Sequence, residues 1–183
     1  MLSPKIFFII GVNGVGKSSV IPFLKNSLDE EHFVIYDFDE RGVPNNANQE
    51  WRQSETLYWL KIGEENIKKN ISTIVCGFIK PTELHFLSTE YKLEPTVIIL
   101  DADSETITKR IFGRYKTPES LAELSRTTGK TPEKFAQDNV WISSAFREDC
   151  KKLKYLIINT SNLNPSEVAL KVLELIKGYQ SLV

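Results

Sequence analysis

Ile6-Phe-Phe-Ile-Ile-Gly-Val-Asn-Gly-Val-Gly-Lys-Ser18 joins an unbroken apolar run to the complete spacing G-x-x-x-x-G-K-S at Gly11–Ser18. The run Lys5–Ile10 reads as a strand, and the residues after Ser18 follow a helical pattern. Strand, loop and helix therefore stand in the order that a phosphate-binding loop requires. Gly11, Gly14 and Gly16 permit a tight turn with N–H groups aimed inward, so an anion can lie against them and against the positive end of the next helix. Lys17 is placed to reach the β- and γ-phosphates, and Ser18 to offer a hydroxyl to Mg²⁺. The expectation is a nucleoside triphosphate site built from Gly11, Asn13, Gly14, Val15, Gly16, Lys17, Ser18 and Ser19.

The body that carries this loop has 183 residues, of which 41% are hydrophobic and 26% charged, the size and composition of one domain over 1–183 with a real core. Two cysteines, Cys76 and Cys150, are too few for a disulfide framework. Cys76 lies in an apolar run and reads as a small buried thiol, which fits a reducing cytosol. There is no basic-then-apolar leader pattern, and no stretch approaches the roughly 20 apolar residues of a membrane span. A cytoplasmic protein, monomer or homodimer, with no membrane partner is expected.

Net charge is −1, but it is unevenly spread. Residues 29 to 55 hold eight acids against Arg41 and Arg52, whereas residues 105 to 134 hold seven bases against four acids. Neither run is a strongly basic surface, so nucleic acid is not an expected partner.

Short apolar runs, Lys5–Ile10, Phe33–Tyr36, Thr73–Cys76, Thr96–Leu100 and Tyr155–Ile158, alternate with helical patterns near 17–28, 49–69, 82–88, 104–113, 132–152 and 166–177. The runs lack polar alternation, as strands buried on both faces of a parallel sheet do. The alternation predicts an α/β fold, a three-layer doubly wound five-stranded parallel sheet. Thr131-Pro132 and Asn164-Pro165 place a capping side chain before a proline at the first helical position, and Gly178 is expected to close the last helix. Pro22 falls inside the first helix and predicts a kink or local widening.

Ligands of such sheets gather at the carboxyl ends of the strands. After the second run, alternation throws Asp37 and Asp39 to the same side. One carboxylate can hold a water of the Mg²⁺ shell and the other can accept a proton from an acceptor hydroxyl, though a polar loop with capping carboxylates would read the same way. After the third run the position next to Gly77 is Cys76, not an acid. The metal-supporting acid is then Asp37, with Asp101 after the fourth run as its competitor. Gly77 would admit a ligand close to the backbone or simply end the strand. His32 and His85 have no metal-site spacing, and no nucleophilic triad is present.

Gly11–Ser18, the Asp37-x-Asp39 pair, Cys76-Gly-Phe78 and Leu100-Asp-Ala-Asp-Ser-Glu-Thr-Ile-Thr-Lys-Arg-Ile-Phe-Gly-Arg114 together resemble the P-loop small-molecule kinases, the group of nucleoside monophosphate kinases, shikimate kinase and gluconate kinase. The resemblance implies a nucleotide-kinase-like P-loop NTPase fold with a helical lid at residues 115 to 131. It implies ATP and Mg²⁺ as cofactors, Arg110 and Arg114 as clamps on the phosphates, and Asn159 and Thr160 against the adenine. Arg110 and Arg114 stand four apart, on one helix face, where guanidinium groups can stabilise charge on the transferred oxygens. Arg126 would be a second clamp in the lid.

The acceptor is expected beside the long helix after Asp39, where the fork of Arg52 suits a planar anion and Trp51 could stack on a ring. The helical spacing of Leu57, Leu60, Glu64 and Ile67 lets Trp59 read as a core residue as easily as a pocket one, and a structural role is preferred. Lys80 replaces an acceptor-binding arginine or caps its turn. The chain lacks the Asp-Gly-Phe-Pro-Arg string of adenylate kinases, reading Cys76-Gly-Phe-Ile-Lys80 instead. A phosphoryl transfer from ATP to a small-molecule hydroxyl is expected, with catalytic Lys17, Asp39, Arg110 and Arg114. Transfer to a nucleotide phosphate, held by Arg52 and Lys80, is the alternative, and a nucleotide-dependent regulatory ATPase is an alternative of another class.

Overall fold

The computed structural model describes residues 4–45 and 47–180, so the ends of the expected 1–183 domain lie outside the described residues. Each apolar run is a strand: β1 (Ile6–Ile10), β2 (Phe33–Asp37), β3 (Ser72–Gly77), β4 (Thr96–Asp101) and β5 (Leu156–Asn159). All four pairings are parallel, and the order across the sheet is β2-β3-β1-β4-β5. Every residue of β1 is buried, as its unbroken hydrophobicity requires of a central strand covered on both faces.

Seven helices complete the three layers among the described residues: α1 (Lys17–Ser27), α2 (Gln49–Lys68), α3 (Pro81–Glu90), α4 (Ser104–Arg114), α5 (Pro118–Thr128), α6 (Pro132–Leu153) and α7 (Pro165–Gln180). Strand alternation sends Phe7 and Ile9 to one face of the sheet, where they join Val20 and Leu24 of α1, Ile107 of α4 and Val172 of α7. Phe8 and Ile10 go to the other face and pack with Trp59 and Leu60 of α2 and Leu84 of α3. Each such buried side chain contributes about 1.5–3 kcal/mol relative to exposure. Trp59 is a core residue, with its indole N–H donating to the Phe38 carbonyl at 3.1 Å.

Local chemistry sets the helix ends. Thr131 accepts from the Lys134 N–H ahead of Pro132, and Asn164 accepts from the Glu167 N–H while the Glu167 carboxylate takes the Asn164 N–H. Both starts behave as their sequence predicts. One expectation is corrected: Gly178 does not end α7, which runs on to Gln180. α1 continues as an α-helix through Pro22, without local widening. Residues 118–128 form a helix of their own, α5, inside the segment expected to be a helical lid. Thr117 and Ser120 form its capping box, and left-handed Gly129 ends it.

Candidate active site

The site is a cleft of about 680 Å³ at the carboxyl ends of β1, β2 and β3, reached on its far side by α4 and the turn after β5. Its floor is the loop after β1. Gly16 is the N-cap of α1 with φ 100°, a left-handed conformation that favours glycine. At Gly14, φ 89°, an added Cβ would stand 2.9 Å from the Ile107 carbonyl oxygen, so the loop runs tight against α4. α1 has no side-chain cap and no acid in its first turn. Its N–H groups therefore remain available to an anion at the positive end of the helix.

Lys17 is buried, and its ammonium donates to the Val12 carbonyl at 2.8 Å. Loss of hydration lowers its pKa to about 8, against the opposing pull of Asp39 and Asp37. A cation held with so little hydration is poised for an anionic ligand.

Three side chains from distant parts of the chain brace this loop. Asn139 of α6 is buried, and its carbonyl oxygen accepts from the Asn13 N–H at 2.9 Å and from the Asn13 amide at 3.2 Å. The Thr160 hydroxyl donates to the Val15 carbonyl at 2.9 Å. Arg110 donates to the Gly14 carbonyl at 3.3 Å and, through both terminal nitrogens, to Thr160.

Across the cleft stand the carboxylates after β2. The Ser18 hydroxyl donates to Asp37 Oδ2 at 3.0 Å, and the other oxygen of Asp37 accepts the Asp39 N–H at 3.0 Å. Glu40 in turn accepts the Asp37 N–H at 3.1 Å, which fixes the turn. Asp39 lines the cleft, and burial and the neighbouring Asp37 charge hold its carboxyl above the usual carboxylate range. Asp101 is turned away from this cleft. It accepts from Arg147 at 2.6 and 3.2 Å, and the same guanidinium binds the Ala102 carbonyl.

No protein-family model and no curated protein matches the chain. Solved structures do. Shikimate kinase from Acinetobacter baumannii in complex with shikimate superposes with a TM-score of 0.60 at 15% identity, over 97% of this chain and 96% of that one. Thymidylate kinase from Candida albicans gives 0.55 at 14% identity over 98% and 93%, and an unliganded sugar kinase from Janibacter gives 0.54 at 17% over 95% of each. The chain has the P-loop kinase fold.

Within that kinase fold, the expected site residues divide by position. Asn13, Gly14, Val15, Gly16, Lys17, Ser18, Ser19, Asp37, Asp39, Gly77, Arg110, Arg114 and Thr160 all line the cleft, and Gly11 is buried beneath it. Asn159, Arg52, Lys80 and Arg126 do not line it. Asn159 is exposed and accepts the Ser161 N–H, shaping the turn after β5. Arg52 donates to the Ala47 carbonyl at 3.3 Å. Lys80 is exposed at the N-cap of α3. Arg126 pairs with Glu123 at 2.7 Å and reaches Asn45 at 2.8 Å, tying α5 to the loop after β2. Trp51 meets Phe38 edge-on, with ring centroids 6.1 Å apart, and also lies off the lining. Val20, Glu40, Phe78, Leu163, Pro165 and Val168 complete the cleft without having been expected, the last three as an apolar wall beside Thr160. Asn139 carried no sequence signal, being a polar residue inside an ordinary helical pattern.

Proposed function

We propose that the chain is an Mg²⁺- and ATP-dependent phosphotransferase that moves the γ-phosphoryl group of ATP to a hydroxyl of a small molecule. The observation that carries this reading is the pairing, across one cleft, of Lys17 and Ser18 on the phosphate loop with Asp37 and Asp39 after β2, closed by the 3.0 Å contact from Ser18 to Asp37.

The donor set fits both cofactors. Uncapped N–H groups at the start of α1 and the weakly hydrated Lys17 suit a polyphosphate, and a hydroxyl beside a carboxylate suits a hard cation that prefers oxygen ligands. Ser18 and Asp37 would hold Mg²⁺, which supplies charge neutralisation at the phosphates. Arg110, itself held by Thr160, keeps the loop in shape and presents charge to the phosphates. Arg114 adds a second guanidinium, whose charge is felt at both Lys17 and Asp39. The apolar wall of Leu163, Pro165 and Val168 suits the face of a purine. Asp39 orients the acceptor hydroxyl and takes its proton, a role helped by a carboxyl held above the ordinary range. Catalysis then rests on positioning and charge rather than on a covalent intermediate.

Transfer to a nucleotide phosphate would call on Arg52 and Lys80, neither of which lines the cleft, so the hydroxyl reading is favoured. The test is incubation of the protein with Mg·ATP and a mixed pool of sugars, hydroxy acids, nucleosides and nucleotides, followed by mass spectrometry for one compound gaining one phosphoryl group. Release of free phosphate alone would replace this reading with a nucleotide-hydrolysing switch.

A further inference from the structure

Resting on the phosphotransferase reading, we infer that the acceptor is a hydroxyl compound without a carboxylate or phosphate group, such as a sugar, polyol, nucleoside or amino alcohol. The cations of the cleft stand on its phosphate side, and its acceptor wall is acidic.

Among the described residues, the cations lining the cleft are Lys17, Arg110 and Arg114. Lys17 belongs to the phosphate loop. Arg110 spends its guanidinium on Gly14 and Thr160, at the nucleotide end. Arg114 is the last residue of α4, one turn beyond Arg110 on the same helix, with its guanidinium 5.4 Å from the centre of the Tyr115 ring.

The opposite wall is made of Asp37, Asp39 and Glu40 after β2, with Gly77 and Phe78 after β3. Behind it Glu55 is buried, and its charge is among those acting on Asp39. Arg41, Arg52 and Arg126, from the segments that flank this wall, do not line the cleft. Arg41 lies 3.0 Å from Glu55, with its guanidinium 3.7 Å from the centre of the Tyr58 ring. Arg52 is held on Ala47, and Arg126 on Glu123 and Asn45. An anionic acceptor lying against this wall would thus meet the like charges of Asp37, Asp39 and Glu40, with no cation among the residues that line it there, the arrangement by which binding sites reject a ligand. A neutral or cationic hydroxyl compound meets no such obstacle. Asp37, Asp39, Glu40 and Glu55, from the acidic run at residues 29 to 55, thereby acquire a role in choosing the substrate.

The experiment separates a broad metabolite extract by anion exchange and incubates the unretained and retained fractions with the protein, Mg²⁺ and γ-labelled ATP. The expected result is a labelled product from the unretained fraction, in yield about 100-fold above any from the retained one, the size of discrimination that unpartnered like charge imposes. A labelled product from the retained fraction would overturn the inference and leave the phosphotransferase reading standing. Labelled product from neither fraction would remove both.

Discussion

Arg110 holds Thr160 twice, Nη2 donating to its carbonyl at 2.8 Å and Nη1 to its hydroxyl at 3.0 Å. That hydroxyl in turn donates a hydrogen bond to the Val15 carbonyl, so a single side chain links α4, the end of β5 and the phosphate loop. Thr160→Val keeps the shape but leaves the buried Val15 carbonyl without its donor. The variant should lose about 1–3 kcal/mol of stability, seen as a lower Tm, and should bind nucleotide more weakly. Thr160→Ser, which keeps the hydroxyl, should retain most of both.

Lys17 gives a pH signature. Its folded pKa, about 8, lies below its ordinary 10.5. Between these values the unfolded chain binds the proton that the folded one has lost, so this group's contribution to stability rises with pH from about 8 to 10.5. A bound polyphosphate favours the charged ammonium. Nucleotide affinity should therefore fall as pH rises through about 8, with proton uptake on binding. Titration calorimetry in two buffers of different ionisation enthalpy measures that uptake, and Lys17→Met should abolish it.

Asp39 should set the acid limb of the activity profile. Burial and Asp37 raise its carboxyl, so activity should fall on acidification at a higher pH than an ordinary carboxylate would give. Asp39→Asn should lower kcat by about 10²–10⁴-fold and leave nucleotide affinity unchanged, read by steady-state kinetics beside equilibrium binding.

Two glycines should behave oppositely. A Cβ at Gly77 would stand 2.1 Å from the Phe38 Cβ, and Phe38 lies between Asp37 and Asp39. Gly77→Ala should cost about 1–3 kcal/mol by overpacking and reduce activity even where the protein stays folded. Gly113 sits in α4 with nothing within 4 Å of an added Cβ. Gly113→Ala should leave activity intact and stabilise by about 0.5–1 kcal/mol, and thermal melts of the pair decide both.

β1, β3 and β4 were readable because burial on both faces erases polar alternation, leaving runs such as Ile6–Ile10 that fit few other structures. The edge strand β5 departs from the expected two-sided burial, with Leu156 and Ile157 exposed. The phosphate loop was readable because its chemistry is local, with glycines, Lys17 and Ser18 consecutive in the chain. Helix α5 escaped separate notice because Leu124 is its one buried residue, although Thr117-Pro118 carries the same start signal as Thr131-Pro132. Positions decided by long-range geometry were the least legible. Spacing could not reveal that Asn139, 126 residues from Asn13, would meet it, nor that Asp101 would turn to Arg147 while Asp37 met Ser18.

Arg110 lies just before the segment 115 to 131 and Asn139 just after it, and both grip the backbone of the same loop. The two roots of that excursion are thus riveted to one foundation. Any movement of α5 would pivot between fixed posts, and the cradle for an anion would keep its shape throughout.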